Sequence, residues 1–410
     1  MELTAPDSAA LLASTLREKR RVRRRAIFLI APLMLFLLIL FIVPIGTLLV
    51  RAMANPEVVA GLPQTVRALA QWDRQSPVPE AGFNALAHDL AAIRGDRKAG
   101  DLSRRLNYEI PGYRSLIFKT INRLPKEMSE SQQFGSSDIL KIDKRWADLK
   151  YWHAIARNSS AWTPYYLLTS LDLHVNDDGK IARVPPDQSA FVSIFARTFE
   201  ISLITTLICL VLGYALAYWM VRMPDNMANV VFVIILIPFW TSVLVRISAW
   251  IVILQRQGLI NTLLMKLSLT DEPIPLLFNR TGVYIAMIQV LLPYMILPIY
   301  SVMKSVSPNL ERAAVSLGSH PLQAFIRIYL PQTYRGIASG SLLVFIIAVG
   351  YYITPALVGG ASDQFISYYV AYFTDTTINW GMASALGLLL LASTFIIYTC
   401  YRYFSEEDAL

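Results

Sequence analysis

Apolar residues fall into six long runs, at 26–50, 194–221, 228–254, 281–303, 336–358 and 380–403. Each is near the ~20 residues that a helix needs to cross a hydrocarbon core, so the pattern predicts six membrane spans. The first run follows the basic stretch REKRRVRRR, which also suits a secretory signal. At about 25 residues it is long enough to span as a helix of roughly 37 Å. Pro44, Ile45 and Gly46 offer no small-residue cleavage site, and a signal's apolar region is shorter. The expectation is a retained first span whose arginines hold residues 1–25 on the cytoplasmic side.

Between the first two runs lies a polar stretch, 51–190, with mixed charge and its own periodicity. Phe83, Leu86, Leu90 and Ile93 recur at helical spacing, as do Tyr113, Leu116, Ile117, Thr120, Ile121 and Leu124, and then Trp146, Leu149, Trp152 and Ile155. Asp178-Gly179 marks a hairpin turn within 174–185. This predicts a mainly helical insert domain on the outer face, followed by a membrane core at 191–404 and a short cytoplasmic tail at 405–410. Arg222, Lys304, Arg312, Arg327 and Arg335 fall on the inner side of the resulting topology, while Gly359 to Trp380 carries no Lys or Arg and falls outside. Arg256, Lys266 and Arg280, in the outer connection between the third and fourth spans, run against that bias.

A second polar interruption, 304–333, reads as two short helices with a break. Ser307 caps the first and Pro308 sits where a first-turn proline is tolerated. Leu310, Ala313, Ala314 and Leu317 share a face, and Gly318 supplies the left-handed stop. Pro321 opens the second helix, with Leu322, Phe325, Ile326, Tyr329 and Leu330 on one face and Pro331 near its end. Two amphipathic helices joined by a glycine corner beside a membrane form a docking surface.

Composition agrees: of 410 residues 55% are hydrophobic and 16% charged, a balance that belongs to an all-α polytopic membrane protein rather than a soluble domain. The net charge of +8 follows from membrane orientation and does not indicate nucleic acid. Cys209 and Cys400, each inside an apolar run, read as buried small hydrophobes, and the four histidines show no ligand spacing. No phosphate-binding loop of the G-x-x-x-x-G-K-[ST] type is present and no catalytic constellation can be assembled, so the chain is read as a non-enzyme.

The interruption at 304–333 resembles the cytoplasmic coupling loop of ABC importer permeases, patterned E-A-A, three residues, G, nine residues, I, any residue, L-P. Ala313, Ala314, Gly318, Ile328, Leu330 and Pro331 match; Arg312 stands in the glutamate's place, with Glu311 one residue earlier. GYALAY at 213–218, the stretch 238–264 and YYITPALVGG at 351–360 are similar to the spermidine/putrescine branch of the MetI-like, binding-protein-dependent permeases; Ala215 replaces that branch's proline. The resemblance covers 191–404 well and 26–50 weakly, and leaves the insert unexplained. It implies the six-span MetI-like fold in a bacterial inner membrane, both termini cytoplasmic, residues 51–190 periplasmic. It further implies an ABC ATPase dimer that binds ATP and Mg in place of any cofactor here, a periplasmic substrate-binding protein, and a second homologous permease chain, with a heterodimer favoured. Leu317, Phe325 and Ile326 would give apolar contact to the ATPase, and the small Ala313, Ala314 and Gly318 close approach.

Charge inside a span is costly and tends to be functional. Arg246 has two readings, a pathway residue paired with a carboxylate such as Glu200, or a side chain reaching the outer interface. Arg197 and Glu200, three apart, would pair locally, and Glu200 is the best candidate to attract a cationic substrate. Trp240, Tyr294, Tyr351 and Tyr352 lie beside prolines or glycines, where they would line a pathway for a cationic amine or pack between helices. Pro238, Pro293, Pro298 and Pro355 predict kinks, and Trp380 and Tyr401 an interfacial belt. The rival reading is a membrane-embedded sensor whose insert binds ligand.

Overall fold

The structure is a computed structural model that describes residues 5–125, 132–176, 180–187, 189–307 and 309–407. The chain is predominantly helical; the one sheet among the described residues is a two-stranded antiparallel hairpin, Leu173–Val175 with Ile181–Arg183. That is the predicted hairpin, although Asp178-Gly179 lies outside the described residues. Among the described residues five helices are long and apolar enough to cross a membrane, or six if the bent pair Pro321–Gln332 and Tyr334–Gly350 is one span.

The first span belongs to a helix of 49 residues, Ala5–Met53, which packs mainly along the last span helix, Trp380–Glu407. The second (Phe191–Val221), fourth (Arg280–Ser305) and fifth (Tyr334–Gly350) span helices pack together as the centre of the bundle. Their buried face carries Ile201, Cys209, Met287, Met295, Ile299 and Val344. The fourth helix continues through both Pro293 and Pro298. Cys209 is buried as expected, whereas Cys400 is exposed on the outside of the last span helix.

Two spans depart from the uninterrupted helices that their hydropathy suggests. The third runs as Asp225–Leu236, a 3-10 turn at Ile237–Trp240, a break, and then Val243–Leu254. The two pieces run along the fourth helix in reverse, as a single broken span would: Phe232 meets Tyr300, Phe239 meets Tyr294, and Trp250 donates to Gln289. Pro238 lies at the break, where its missing N–H cannot continue the ladder. The fifth span ends at Gly350, and Tyr351-Tyr352 interrupts it before a short helix, Ile353–Val358. Non-helical backbone at such depth is tolerated where protein or water faces it.

The insert has a closed core of its own, around Trp146, Trp152, Tyr113, Leu86, Leu90, Leu102 and Leu106. The predicted helices appear as Glu80–Ala92 and Tyr113–Arg123, while the third divides into a 3-10 turn, Lys144–Ala147, and a helix, Leu149–Arg157. Asp148 divides them by accepting from the Lys150 N–H as the cap of the second piece. The helix Arg97–Glu109 escaped the sequence reading because its charged residues outnumber its apolar stripe of Leu102 and Leu106.

Candidate functional site

The segment 307–332 folds nearly as its sequence dictates. The Ser307 hydroxyl accepts from the Asn309 N–H at 3.4 Å, opening the helix Asn309–Ser316; Pro308 lies outside the described residues. Gly318 takes φ +93, the Ser319 N–H reaches the Ala314 carbonyl at 3.1 Å and the Gly318 N–H reaches Val315 at 3.0 Å. That double closure around a left-handed residue is the Schellman motif, and a side chain at 318 would strain it. His320 caps the second helix by accepting from the Leu322 N–H at 3.3 Å.

The second helix departs from a simple amphipathic stripe. Phe325–Tyr329 forms a π turn in which the Leu330 N–H reaches back to the Phe325 carbonyl. Pro331, lacking an N–H, cannot close the ordinary bond just beyond it. The chain then turns by 64° into the fifth span helix. The wider turn separates the predicted face into two. Phe325 and Tyr329 point into the chain's own bundle, edge-on to Tyr218 at 5.2 and 5.5 Å. Phe325 is thus an internal contact, not the exposed one expected of it. Leu310, Leu322 and Ile326 remain exposed, and Leu317 is 89% exposed. Ala314 is buried, Ala313 and Arg312 are exposed, and Ile328 and Leu330 are half-buried.

The inward side is held by a cluster that sequence reasoning missed. The Arg222 guanidinium lies 3.3 Å from the centre of the Tyr218 ring and 5.3 Å from that of Tyr329, and its Nη2 donates to Glu311 Oε2 at 2.6 Å. Tyr218 Oη donates to the other oxygen of Glu311 at 3.4 Å. Tyr214 and Thr333 share a hydrogen bond at 3.1 Å one turn away. Glu311 therefore ties the first short helix to the end of the second span. The signal lies in the sequence: Tyr218 and Arg222 stand four apart at the end of a span, on one helix face.

On the insert side, the predicted Arg197–Glu200 pair does not form. Glu200 accepts from Arg280 Nη1 at 3.1 Å, Arg280 Nε reaches Asp363 at 3.3 Å, and Arg197 donates to the Ser362 carbonyl. Arg280 is one of the three cations that ran against the orientation bias, and these carboxylates are its counter-ions. Nor does Glu200 pair with Arg246. Arg246 is half-buried, and its Nε has no hydrogen-bond partner among the described residues. The structure gathers three of the six pathway candidates: Tyr351 lies within electrostatic reach of Arg246 and Tyr294, with its hydroxyl beside that of Thr354. Tyr352 sits at the fifth-span break beside them in sequence, and Trp240, 89% exposed, projects from the third-span break. Among the described residues no cluster of His, Cys, Asp or Glu could hold a metal ion.

Broken apolar helices around buried polar groups, with a clamped helical corner at one end, define a polytopic membrane permease. The profile of the binding-protein-dependent transport system inner membrane component matches residues 193–407. The chain belongs to that family, and is an ABC importer permease of the bacterial inner membrane. It is 33% identical over 200 residues to the spermidine/putrescine transport system permease protein PotB of Escherichia coli, covering 49% of this chain and 73% of that protein. PotB of Haemophilus influenzae is 33% identical over 214 residues, covering 52% and 74%. The inner membrane ABC transporter permease protein YdcU of Escherichia coli is 26% identical over 264 residues, covering 61% and 83%. Among solved structures, a bacterial alginate ABC transporter in complex with an alginate pentasaccharide-bound periplasmic protein aligns with TM-score 0.46 and 18% identity over 54% of this chain and 81% of its own. The family match begins past the insert.

Proposed function

We propose that the chain is the membrane subunit of an ATP-driven importer and that residues 307–331 receive the movement of a separate ATPase dimer. The observation that carries this is the two-sidedness of the segment. One side is locked to the bundle through Arg222–Glu311 and the Tyr218–Phe325–Tyr329 rings, while the other leaves Leu310, Leu317, Leu322 and Ile326 without cover. A lever needs both a fixed end and a free one. Closure of the ATPase on ATP would push the free side, and the clamp would pass the displacement to the second and fifth spans. ATP shifts the two conformations only if the bundle states differ in affinity for the closed ATPase. The N-terminus and the coupling segment would then face the cytoplasm and the insert the periplasm, where a substrate-binding protein delivers its ligand. A second, related permease chain would complete the pathway against the exposed broken helices.

The cargo is a small organic solute, and the PotB relatives favour a polyamine. A specific observation favours a second reading: the charge among the gathered pathway residues is the cation Arg246, beside two tyrosines. Glu200 is already paired with Arg280. A guanidinium with a free donor suits a carboxylate-bearing solute, such as an amino-acid-like compound or an opine, better than a polycation. Thermal stabilisation of the cognate binding protein separates the two, by spermidine and putrescine in one case and by carboxylated solutes in the other.

Gly318→Asp tests the lever. The variant should insert and assemble yet lose stimulation of ATPase activity by loaded binding protein, because the left-handed corner cannot form without strain. Full stimulation in that variant refutes the assignment. Co-purification with a kinase or regulator in place of an ATPase would favour a sensor.

A further inference from the structure

The insert meets the membrane at a cavity of about 460 Å³ that the transport reading does not use. Its walls come from both bodies: Glu57, Lys98, Arg104 and Arg105 from the insert, and Arg51 and Trp380 from the ends of the first and last span helices. The joint is tight. The Tyr166 ring lies so close to Gly381 that a Cβ there would fall 2.3 Å from Cε2, so only glycine fits. The cavity is therefore a fixed feature of the join rather than a loose cleft.

Its charge is one-sided, with five basic side chains against two carboxyls. One of those carboxyls, Asp101, is engaged by Arg97 at 3.5 Å and Arg104 at 3.9 Å. Arg105 is 1% exposed and held by Asn55 at 2.8 Å, Glu109 at 3.1 Å and Asn158 at 2.5 Å, with its guanidinium over the Tyr165 ring at 4.5 Å. Its Nη1 nevertheless has no partner among the described residues. Glu57 Oε2 is also buried without one. A buried polar atom left unpaired is costly, and a guanidinium N–H and a carboxyl oxygen both unpaired on one basic cavity mark a place for a ligand.

We propose that this cavity binds a phosphate group, supplied by the headgroup of an anionic phospholipid at the membrane surface on the insert's side. The depth fits: Arg51 ends the first span helix and lies over the Trp380 ring at 5.2 Å, an arginine–tryptophan pair at the level where headgroups sit. Guanidinium forks suit phosphate oxygens. Burial raises the Glu57 carboxyl above its ordinary range, which weakens its opposition to an anion. The same lining repels a polycation, so the site is distinct from a pathway for polyamine cargo.

The full-length chain in neutral detergent is titrated with dioctanoyl phosphatidylglycerol, dioctanoyl phosphatidylcholine or inorganic phosphate, with binding read by native mass spectrometry. The anionic lipid should bind about tenfold more tightly than the zwitterionic one. The rim double variant Arg51→Gln/Arg104→Gln, which leaves the buried network intact, should remove that preference. Arg105→Lys, which keeps the charge but not the fork, should weaken it. Equal binding of the two lipids, or a preference unchanged in the rim variant, overturns the site. Inorganic phosphate that competes the lipid away at equal concentration overturns the lipid as source and leaves a soluble phosphate in its place.

Discussion

The two ends of this molecule handle apolar surface in opposite ways. At the insert end Trp146, Trp152, Tyr113 and the leucines around them are fully enclosed, and the Trp152 indole N–H donates to the Trp146 carbonyl at 2.9 Å. At the coupling end Leu317, Leu322 and Ile326 stand in the open although their helices are properly capped. On the proposed topology both ends lie outside the bilayer, where lipid would not cover exposed leucines as it does along the spans. The insert encloses a core of its own, while the coupling end leaves large apolar side chains uncovered.

The largest expected effect lies in the closed end. Trp152→Ala should destabilise the insert by about 3–5 kcal/mol, since it removes a fully buried indole and leaves a cavity. A loss below about 1 kcal/mol would mean that the insert core is not closed. Denaturant titration of the full chain with tryptophan fluorescence reads it.

Acid should act on the same end. Hydrogen bonds from Arg145 foremost, with Lys119 at 2.8 Å, hold the Asp143 carboxyl far below its usual range. Because its folded value is depressed, its contribution is present above the unfolded value near ~3.9 and is lost as pH falls below it toward the folded value. Asp143→Asn should therefore lower stability at neutral pH and flatten the acid limb, the two proteins converging at the lowest pH. A limb as steep in the variant as in the parent would contradict this.

At the coupling end the smallest effect carries most information. A double-mutant cycle of Arg222→Gln and Glu311→Gln should give a coupling of about 1 kcal/mol, modest because both side chains are partly exposed. Each single variant should nonetheless reduce the stimulation of ATPase by loaded binding protein. Loss of the ion pair with coupling of transport untouched would remove Glu311 from the linkage.

Much of this was legible beforehand. Six apolar runs, the glycine corner at 318 and the separate insert follow from periodicity and capping, which are local properties. The break at 237–242 falls at one of the expected proline kinks, Pro238, and that at 351–352 shortly before another, Pro355, whereas Pro293 and Pro298 leave the fourth helix uninterrupted. Hydropathy does not separate these cases, because it averages over a bent helix as readily as a straight one. The ion pairs were misassigned for a related reason. Arg197 and Glu200 are neighbours in sequence, but the stronger partners come from Arg280 and the Ser362 carbonyl on other elements. Likewise Phe325 was placed on the outer face because a regular helix would put it there; a π turn ahead of Pro331 rotates it inward.

The most direct test places a cysteine at the free end of the lever. In a Cys400→Ser background, which leaves only the buried Cys209, Leu317→Cys is treated with a short thiol crosslinker in membranes carrying the assembled transporter. Ile181→Cys, exposed on the insert hairpin, serves as the control. The account predicts a crosslink from 317 to a nucleotide-hydrolysing subunit and none to it from 181. An ATPase partner trapped from neither position, or from 181 alone, would contradict it.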